Sequence, residues 1–411
     1  MPESPYPMIL VEEALAIIER EVQLLPTVKL PFDQALDLVL AEDVVADEPM
    51  PPFPAASVDG FAVIAADGSG LRRIVGEQLA GYVAKIRVEQ GTAARVTTGA
   101  PIPSGADTMV MVEQTEERDG QVNILTGDLQ PGANIRPIGQ DIEPGQRVLS
   151  RGTVLGPAEL GLLGTVGKTT VIVYRRPRVA VMSTGDEIVE PHERPQPGQI
   201  RDANRFSLMG AVRQAGAEPL DLGVVKDKAD RLQATIERGL AEADVLLTSG
   251  GVSMGELDLV KPYLASRGTI HFGRVNTKPG KPVTFAIVDG KPCFAMPGFP
   301  VSALVSFEIF VRPALLKMAG HTRIYRPREK AALAHHVSHS TARTEFQRVV
   351  LTRRQSDGML LASTTGFQGS GRLLSMVGAN GLIVLPHGQG DFQAGTVVEA
   401  IILGPVEISV E

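Results

Sequence analysis

The chain has 411 residues, a formal net charge of −7 and one cysteine, Cys293. At about 100–200 residues per domain it is too long for a single core, so two to four domains are expected. The acidic balance offers no basic face for nucleic acid, and one cysteine excludes an internal disulfide and a Cys-based metal site.

The N-terminus, MPESPYPMIL, lacks a basic segment followed by a long apolar one. No apolar run reaches roughly 18 residues. Neither a signal peptide nor a membrane span is expected, and the reading is a cytoplasmic enzyme or binding protein. Residues 8–22 space apolar residues as a helix does, with Pro7 at or just before its first turn. The proline-rich stretch EPMPPFPAASVDGFAV is extended. From there to about Val148, short β-leaning segments separated by Gly and Pro predict a small, mostly β domain.

Near Arg178 strands begin to alternate with helices. RVAVMSTGDEIV, LDLGVV and DVLLTSGG read as strands. ANRFSLMGAVRQAG (stopped by Gly216), KADRLQATIERGLAEA and GELDLVKPYLAS read as helices. That alternation predicts a parallel sheet covered on both faces. A hairpin turning at Asp289-Gly290 and a helix over 301–318 complete the unit. Cys293 lies in the apolar run CFAM and reads as a buried, inert thiol. After Gly320 the chain is β-rich again, as a small C-terminal barrel or sandwich.

In an open α/β sheet, ligands bind beyond the carboxyl ends of the strands. Two strand ends carry such a message: Thr184-Gly185-Asp186-Glu187 and Ser249-Gly250-Gly251-Val252-Ser253. Bare glycine backbone lets N–H groups approach an oxyanion, although Gly-Gly also serves as a tight strand-to-helix turn. Acids recur at turns: Asp59 in SVDGFAV, Asp141 in GQDIEPG, Glu187 in STGDEI, Asp227 in VKDKAD and Asp258 in GELD. A carboxylate cluster beside a phosphate holder suits Mg²⁺; each acid alone also reads as a turn or cap residue. Lys278 and Lys281 flank a Pro-Gly turn and can point together at a tetrahedral anion, or lie on a solvated turn. Pro297-Gly298-Phe299-Pro300 precedes a helix. Arg348 in EFQRVVL and Ser370 with Arg372 in GFQGSGRLLS are further oxyanion candidates. His335, His336 and His339 lack zinc spacing and read as surface histidines, with alternation placing His335 and His339 on one strand face.

Taken in order, SVDGFAV, TTGAPIPSGADTMVMVEQT, GQDI, RPRVAVMSTGDEIV, SGGVSMGELD, KPGKP and MPGFPVSA resemble the molybdopterin molybdenumtransferase (MoeA) family, to which the gephyrin E domain belongs. The resemblance spans nearly the whole chain. It implies insertion of molybdenum from molybdate into adenylylated molybdopterin, with Mg²⁺-dependent hydrolysis releasing AMP. It also implies an elongated, multi-domain α/β plus β fold. The expected parts are an N-terminal dimerisation region (7–44 and 146–176), a β-rich domain (45–145), an α/β molybdopterin-binding domain (177–322) and a C-terminal β-barrel (323–411). Family members are homodimers with the active site between subunits.

Carried over by motif, the functional acids are Asp59, Asp141, Glu187, Asp227 and Asp258, with Asp59, Glu187 and Asp258 as metal candidates. Thr98, Thr184, Gly185, Ser249, Gly250, Gly251, Ser253, Pro297 and Pro300 are expected to bind substrate. Lys278, Lys281, Arg348 and Ser370 are expected to hold molybdate, or tungstate. Phe299 departs from the family's common Asn, so no polar contact is assigned there. Implied partners are the sister adenylyltransferase and molybdoenzyme apoproteins. An adenylyltransferase activity and a non-catalytic gephyrin-like scaffold are the alternatives.

Overall fold

The computed structural model describes residues 5–251 and 259–409. The chain divides into two compact units, one of residues 1–30, 37–41 and 172–411, the other of residues 31–36 and 42–171.

The first unit is built on a six-stranded sheet. Its strands are β1 (Arg178–Thr184), β2 (Glu218–Val225), β3 (Val245–Ser249), β4 (Gly268–Phe272), β5 (Thr284–Val288) and β6 (Lys291–Met296). They lie in the order β2-β1-β3-β6-β5-β4. The links from β2 to β6 are parallel, and β6-β5-β4 is antiparallel. The β5–β6 hairpin turns at Asp289 (φ 50°) and Gly290 (φ 75°), the two positive values that a tight two-residue turn requires.

Alternation along β1 explains why the central strands β1, β3 and β6 are largely apolar. Val179 and Val181 face one core, with Val245, Leu247, Phe294 and helix Asn204–Gln214. Ala180 and Met182 face the other, with Leu246, Ala295 and helices Ala229–Glu242 and Val260–Arg267. A parallel sheet buried on both faces has no polar side to show, and each large side chain so buried contributes about 1.5–3 kcal/mol. Cys293 lies in the second core, where burial pushes its thiol up to about 12, so it stays protonated at neutral pH.

Two expected helices differ in detail. The first runs only over Val11–Glu21, placing Val11, Ala14 and Ile18 in the first core and leaving Pro7 outside. The helix expected over 301–318 is α-helical at Pro300–Ser306 and Arg312–Met318 but π-helical at Phe307–Val311. Pro313 lacks the N–H of a regular ladder, and the widened turn before it accommodates the loss.

The C-terminal strands close into a ring. Thr344–Arg354 pairs with Leu360–Thr364 and with Gly381–Leu385. Arg328–Leu333 and Val397–Ile402 complete the circuit. Closure removes the free edges of a five-stranded barrel. Val349, Leu351, Leu333 and Ile383 fill its interior. The strand's first two residues also pair in parallel with Thr277–Lys278, which precedes β5.

The second unit holds a six-stranded sheet in the order Thr108–Met111, Gly60–Val63, Thr92–Val96, Gly70–Gln78, Gln121–Ile124 and Thr115–Arg118. Phe61, Val63, Val110 and Val122 form part of one core.

One buried cation ties the first unit's polar groups together. Arg205, on helix Asn204–Gln214 and 3% exposed, binds Asp202, Asp221 and Glu190 at 2.5–2.9 Å. Asp202 in turn accepts from Ser183 of β1 at 3.0 Å. Removing one partner of a buried ion pair costs about 3–5 kcal/mol. Arg205→Met, which keeps volume and removes charge, is expected to destabilise the chain by about that amount in urea unfolding.

Candidate functional site

Seven of the expected site residues, Thr184, Gly185, Glu187, Asp227, Ser249, Gly250 and Gly251, gather at the exits of β1 and β3. Thr184, the last residue of β1, donates its hydroxyl to Asp227 at 2.7 Å. The Asp227 backbone N–H donates to Asp186 at 3.2 Å. Lys226 donates to the carbonyls of Asp186 and Ile188, at 3.0 and 2.7 Å. It pins the turn that presents Glu187, an exposed acid. Sequence reasoning passed over Lys226, because a lysine beside an aspartate reads as surface charge.

At the exit of β3, Gly250 (φ +91°) and Gly251 (φ +66°) are both left-handed. A Cβ on Gly250 would lie 2.4 Å from the Thr184 carbonyl oxygen, and one on Gly251 would lie 2.6 Å from Val260. Only glycine permits this turn. Ser249 accepts from Asn204 at 2.7 Å, and the same Asn204 amide donates to the Gly298 carbonyl at 2.7 Å. Asn204 therefore joins the β3 exit to the β6 exit, where Pro297 is buried and Pro300 opens the next helix. It was missed because ANRFS reads as an ordinary helix start. Ser253 and Asp258, and with them Glu256, lie outside the described residues.

A second group lies at one end of the barrel. A cavity of about 390 Å³ is lined by Lys278, Glu345, Gln347, Phe367, Gly369 and Ser370, among others. Strand alternation explains its chemistry. Val349 and Leu351 point into the barrel core, so Glu345 and Gln347, four and two residues before Val349, lie on the same face at its mouth. Ser370 is carried by the 365–375 loop, and its carbonyl accepts from Val301 at 3.0 Å. Lys281 is not among the residues lining this cavity, so the two lysines of the turn do not share it.

Arg348 falls on the opposite strand face and lies behind the cavity. It is 1% exposed. Its guanidinium donates to Ser375 at 3.1 and 3.2 Å and to the Gly369 carbonyl at 3.4 Å. Its backbone exchanges two hydrogen bonds with Gln368, at 2.9 and 3.1 Å. Arg348 therefore clamps the loop that carries Ser370. No carboxylate pairs with it among the described residues. Burial pushes its guanidinium down to about 10, with Glu345 opposing the shift, and it remains charged at neutral pH.

The histidines require a correction. His335 and His336 are exposed, but His339 is buried. Its ring bonds Glu345 and the Pro386 carbonyl, at 3.0 and 3.1 Å. Residues 335–339 do not form a strand, so the alternation that placed His335 and His339 on one face does not apply.

In the second unit, Asp59 accepts from the Thr98 N–H at 2.7 Å and from its hydroxyl at 3.0 Å. The N–H, then the hydroxyl, holds the Asp59 carboxyl below its ordinary value. Asp141 is exposed and paired with Arg136.

A glycine-lined exit on an α/β sheet, joined within one unit to a barrel mouth bearing a lysine and a serine, marks the class of multidomain proteins that handle anionic small molecules. Three family descriptions match the chain: MoeA N-terminal region (domain I and II) over residues 9–167, probable molybdopterin binding domain over 180–317, and MoeA C-terminal region (domain IV) over 330–403. Molybdopterin molybdenumtransferase 2 of Mycobacterium tuberculosis is 36% identical over 95% of this chain and 98% of its own. Gephyrin of Dictyostelium discoideum is 34% identical over 98% of this chain, which spans 63% of that protein. The crystal structure of the molybdopterin biosynthesis MoeA protein from Pyrococcus horikoshii superposes with a TM-score of 0.81 at 31% identity, over 97% of this chain and all of that one. The chain belongs to the MoeA family.

Two outcomes follow from the geometry. Gly250→Ala should lose about 1–3 kcal/mol of stability in urea unfolding, since it combines a left-handed backbone with a clash. Thr98→Val keeps the N–H and removes the O–H, so Asp59 should titrate higher than in the parent but still below an ordinary carboxyl, as read by ¹³C NMR. Because the folded value is depressed, the stabilisation is present above the ordinary carboxyl range and disappears as pH falls through the folded value.

Proposed function

We propose that the chain transfers molybdenum from molybdate to adenylylated molybdopterin, with hydrolysis of the adenylate and release of AMP. The observation that carries this reading is the barrel-mouth cavity, where Lys278 and Ser370 converge from distant parts of the sequence. An ammonium and a hydroxyl are donors for a tetrahedral oxyanion, and tungstate has the same donor needs. Arg348 holds the serine's loop in place and adds buried positive charge behind it. The charge requirement also accounts for how an acidic protein accepts anionic substrates: the local field, not the net charge, sets the attraction.

The nucleotide part of the substrate is assigned to the strand exits. The Gly250 N–H donates to the Met296 carbonyl at 3.2 Å, which leaves the Gly251 N–H to suit a phosphate oxygen, and Thr184 with Asp227 fixes the adjoining turn. Mg²⁺ takes one or two carboxylates and keeps several waters. Glu187 and Asp227, beside the β1 exit, supply donors of that type, and Asp59 and Asp258 are the further candidates by family motif. Among the described residues no three metal-binding side chains converge. When bound, the ion supplies positive charge to phosphate oxygens.

The working form is proposed to be a cytoplasmic homodimer. No helix among the described residues is long and apolar enough to cross a membrane. The gephyrin relative makes a non-catalytic scaffold the contrasting outcome.

The test is AMP release from adenylylated molybdopterin with Mg²⁺ present and molybdate titrated. The parent is expected to release AMP in a molybdate-dependent manner, and Asp258→Ala to lose release. Lys278→Ala should raise half-saturating molybdate by about tenfold or more, the cost of removing a charged hydrogen-bond donor. Tight binding of the adenylate without release by the parent would favour the scaffold.

A further inference from the structure

We infer that Glu345 and His339 are positioning residues for oxyanion binding: Glu345 holds Lys278 at the cavity, and His339 cancels the charge of Glu345 so that Lys278 keeps its own for the anion. This inference rests on the cavity being the molybdate site.

The geometry is a chain of three groups running from the cavity inward. Lys278, half exposed, places its Nζ 3.0 Å from one oxygen of Glu345, whose side chain is 2% exposed. The other Glu345 oxygen lies 3.0 Å from Nδ1 of His339, whose side chain is fully buried. His339 Nε2 lies 3.1 Å from the Pro386 carbonyl oxygen. A carbonyl oxygen only accepts, so Nε2 carries a hydrogen. A carboxylate also only accepts, so Nδ1 must carry a second hydrogen, or the shared proton sits on Glu345 and is donated to Nδ1. Both placements give the Glu345–His339 pair zero net charge. Lys278 then contributes one full positive charge to the cavity.

Without His339 the balance changes. Lys278 and Glu345 would then sum to zero, leaving only the Arg348 charge behind the wall, and a buried carboxylate at the cavity wall would repel a dianion. Other charged groups do not supply the missing proton. Asp391 accepts from the His339 backbone N–H at 2.7 Å and lies 3.5 Å from the His336 ring. Arg343 donates to the Thr277 carbonyl. The Phe392 ring, 5.9 Å from that of His339, closes the remaining side.

A structural ion pair and a charge-compensating one differ in their response to neutralisation. His339→Asn leaves Glu345 uncompensated. It should weaken molybdate binding by about tenfold, measured by calorimetry, and raise half-saturating molybdate while changing the rate at saturation less. Glu345→Gln keeps the hydrogen-bond pattern without the charge and should weaken molybdate binding less than His339→Asn does. The double variant His339→Asn/Glu345→Gln should recover most of what His339→Asn loses. Melting temperatures are followed throughout, and Glu345→Gln decides the matter if His339→Asn does not fold. Unchanged binding in His339→Asn, a double variant no better than that single one, or a Glu345→Gln that binds as poorly as Lys278→Ala overturns the inference. A parent that binds molybdate but releases no AMP overturns the proposed reaction alone, and the same calorimetry still judges the charge compensation. A parent that binds no molybdate overturns both.

Discussion

Lys278 faces Glu345 across a parallel ladder only two residues long, and the cavity depends on that pairing. The lysine belongs to the segment leading into the α/β sheet and the glutamate to the closed barrel. Two backbone registers, Thr277 with Thr344 and Lys278 with Glu345, fix one against the other. Without this ladder, the 3.0 Å contact would rest on two flexible side chains, and ordering them would carry a full entropic cost. With it, the ammonium is already in place when an anion arrives, which lowers the cost of binding.

The proposed division of labour follows from how each element meets polar ligands. At the sheet exits, main chain does the work, and glycine is required because a Cβ would strike the neighbouring strand. At the barrel mouth, side chains do the work, because the first residues of a strand point alternately in and out of the barrel. Phosphate, with oxygens displayed outward, suits a concave arrangement of N–H groups. A compact dianion suits a point charge and a hydroxyl.

Much of this was legible in the sequence, for identifiable reasons. Strands with both faces buried announce themselves as continuous apolar runs, as in Val245–Leu247. Asp289-Gly290 declares its turn, and paired glycines declare a close approach. Motif order carried the family. What was not legible were contacts made by residues of unremarkable type. Asn204 bridges two strand exits that lie 45 and 94 residues away in sequence, and no local pattern encodes that. His339 was read as surface because no metal-ligand spacing surrounds it, while its partner Glu345 is buried only once the barrel closes. The π-helical turn before Pro313 likewise depends on the helix being held by packing on both sides of a residue that would otherwise end it.

The strand Thr344–Arg354 has one more consequence. Its inward set, Glu345 and Gln347, meets the cavity, while the outward residue Arg348 anchors the 365–375 loop and Phe346 packs against the α/β core. The two sets are separated by nothing but parity. Substitutions at either set can drift independently, each judged by its own surroundings. A single inserted or deleted residue ahead of Val349 would exchange them at one stroke, sending the loop's anchor into the cavity and the lysine's partner into the core. Divergent relatives of this chain should therefore vary the length of the loops on either side while keeping this strand the same length.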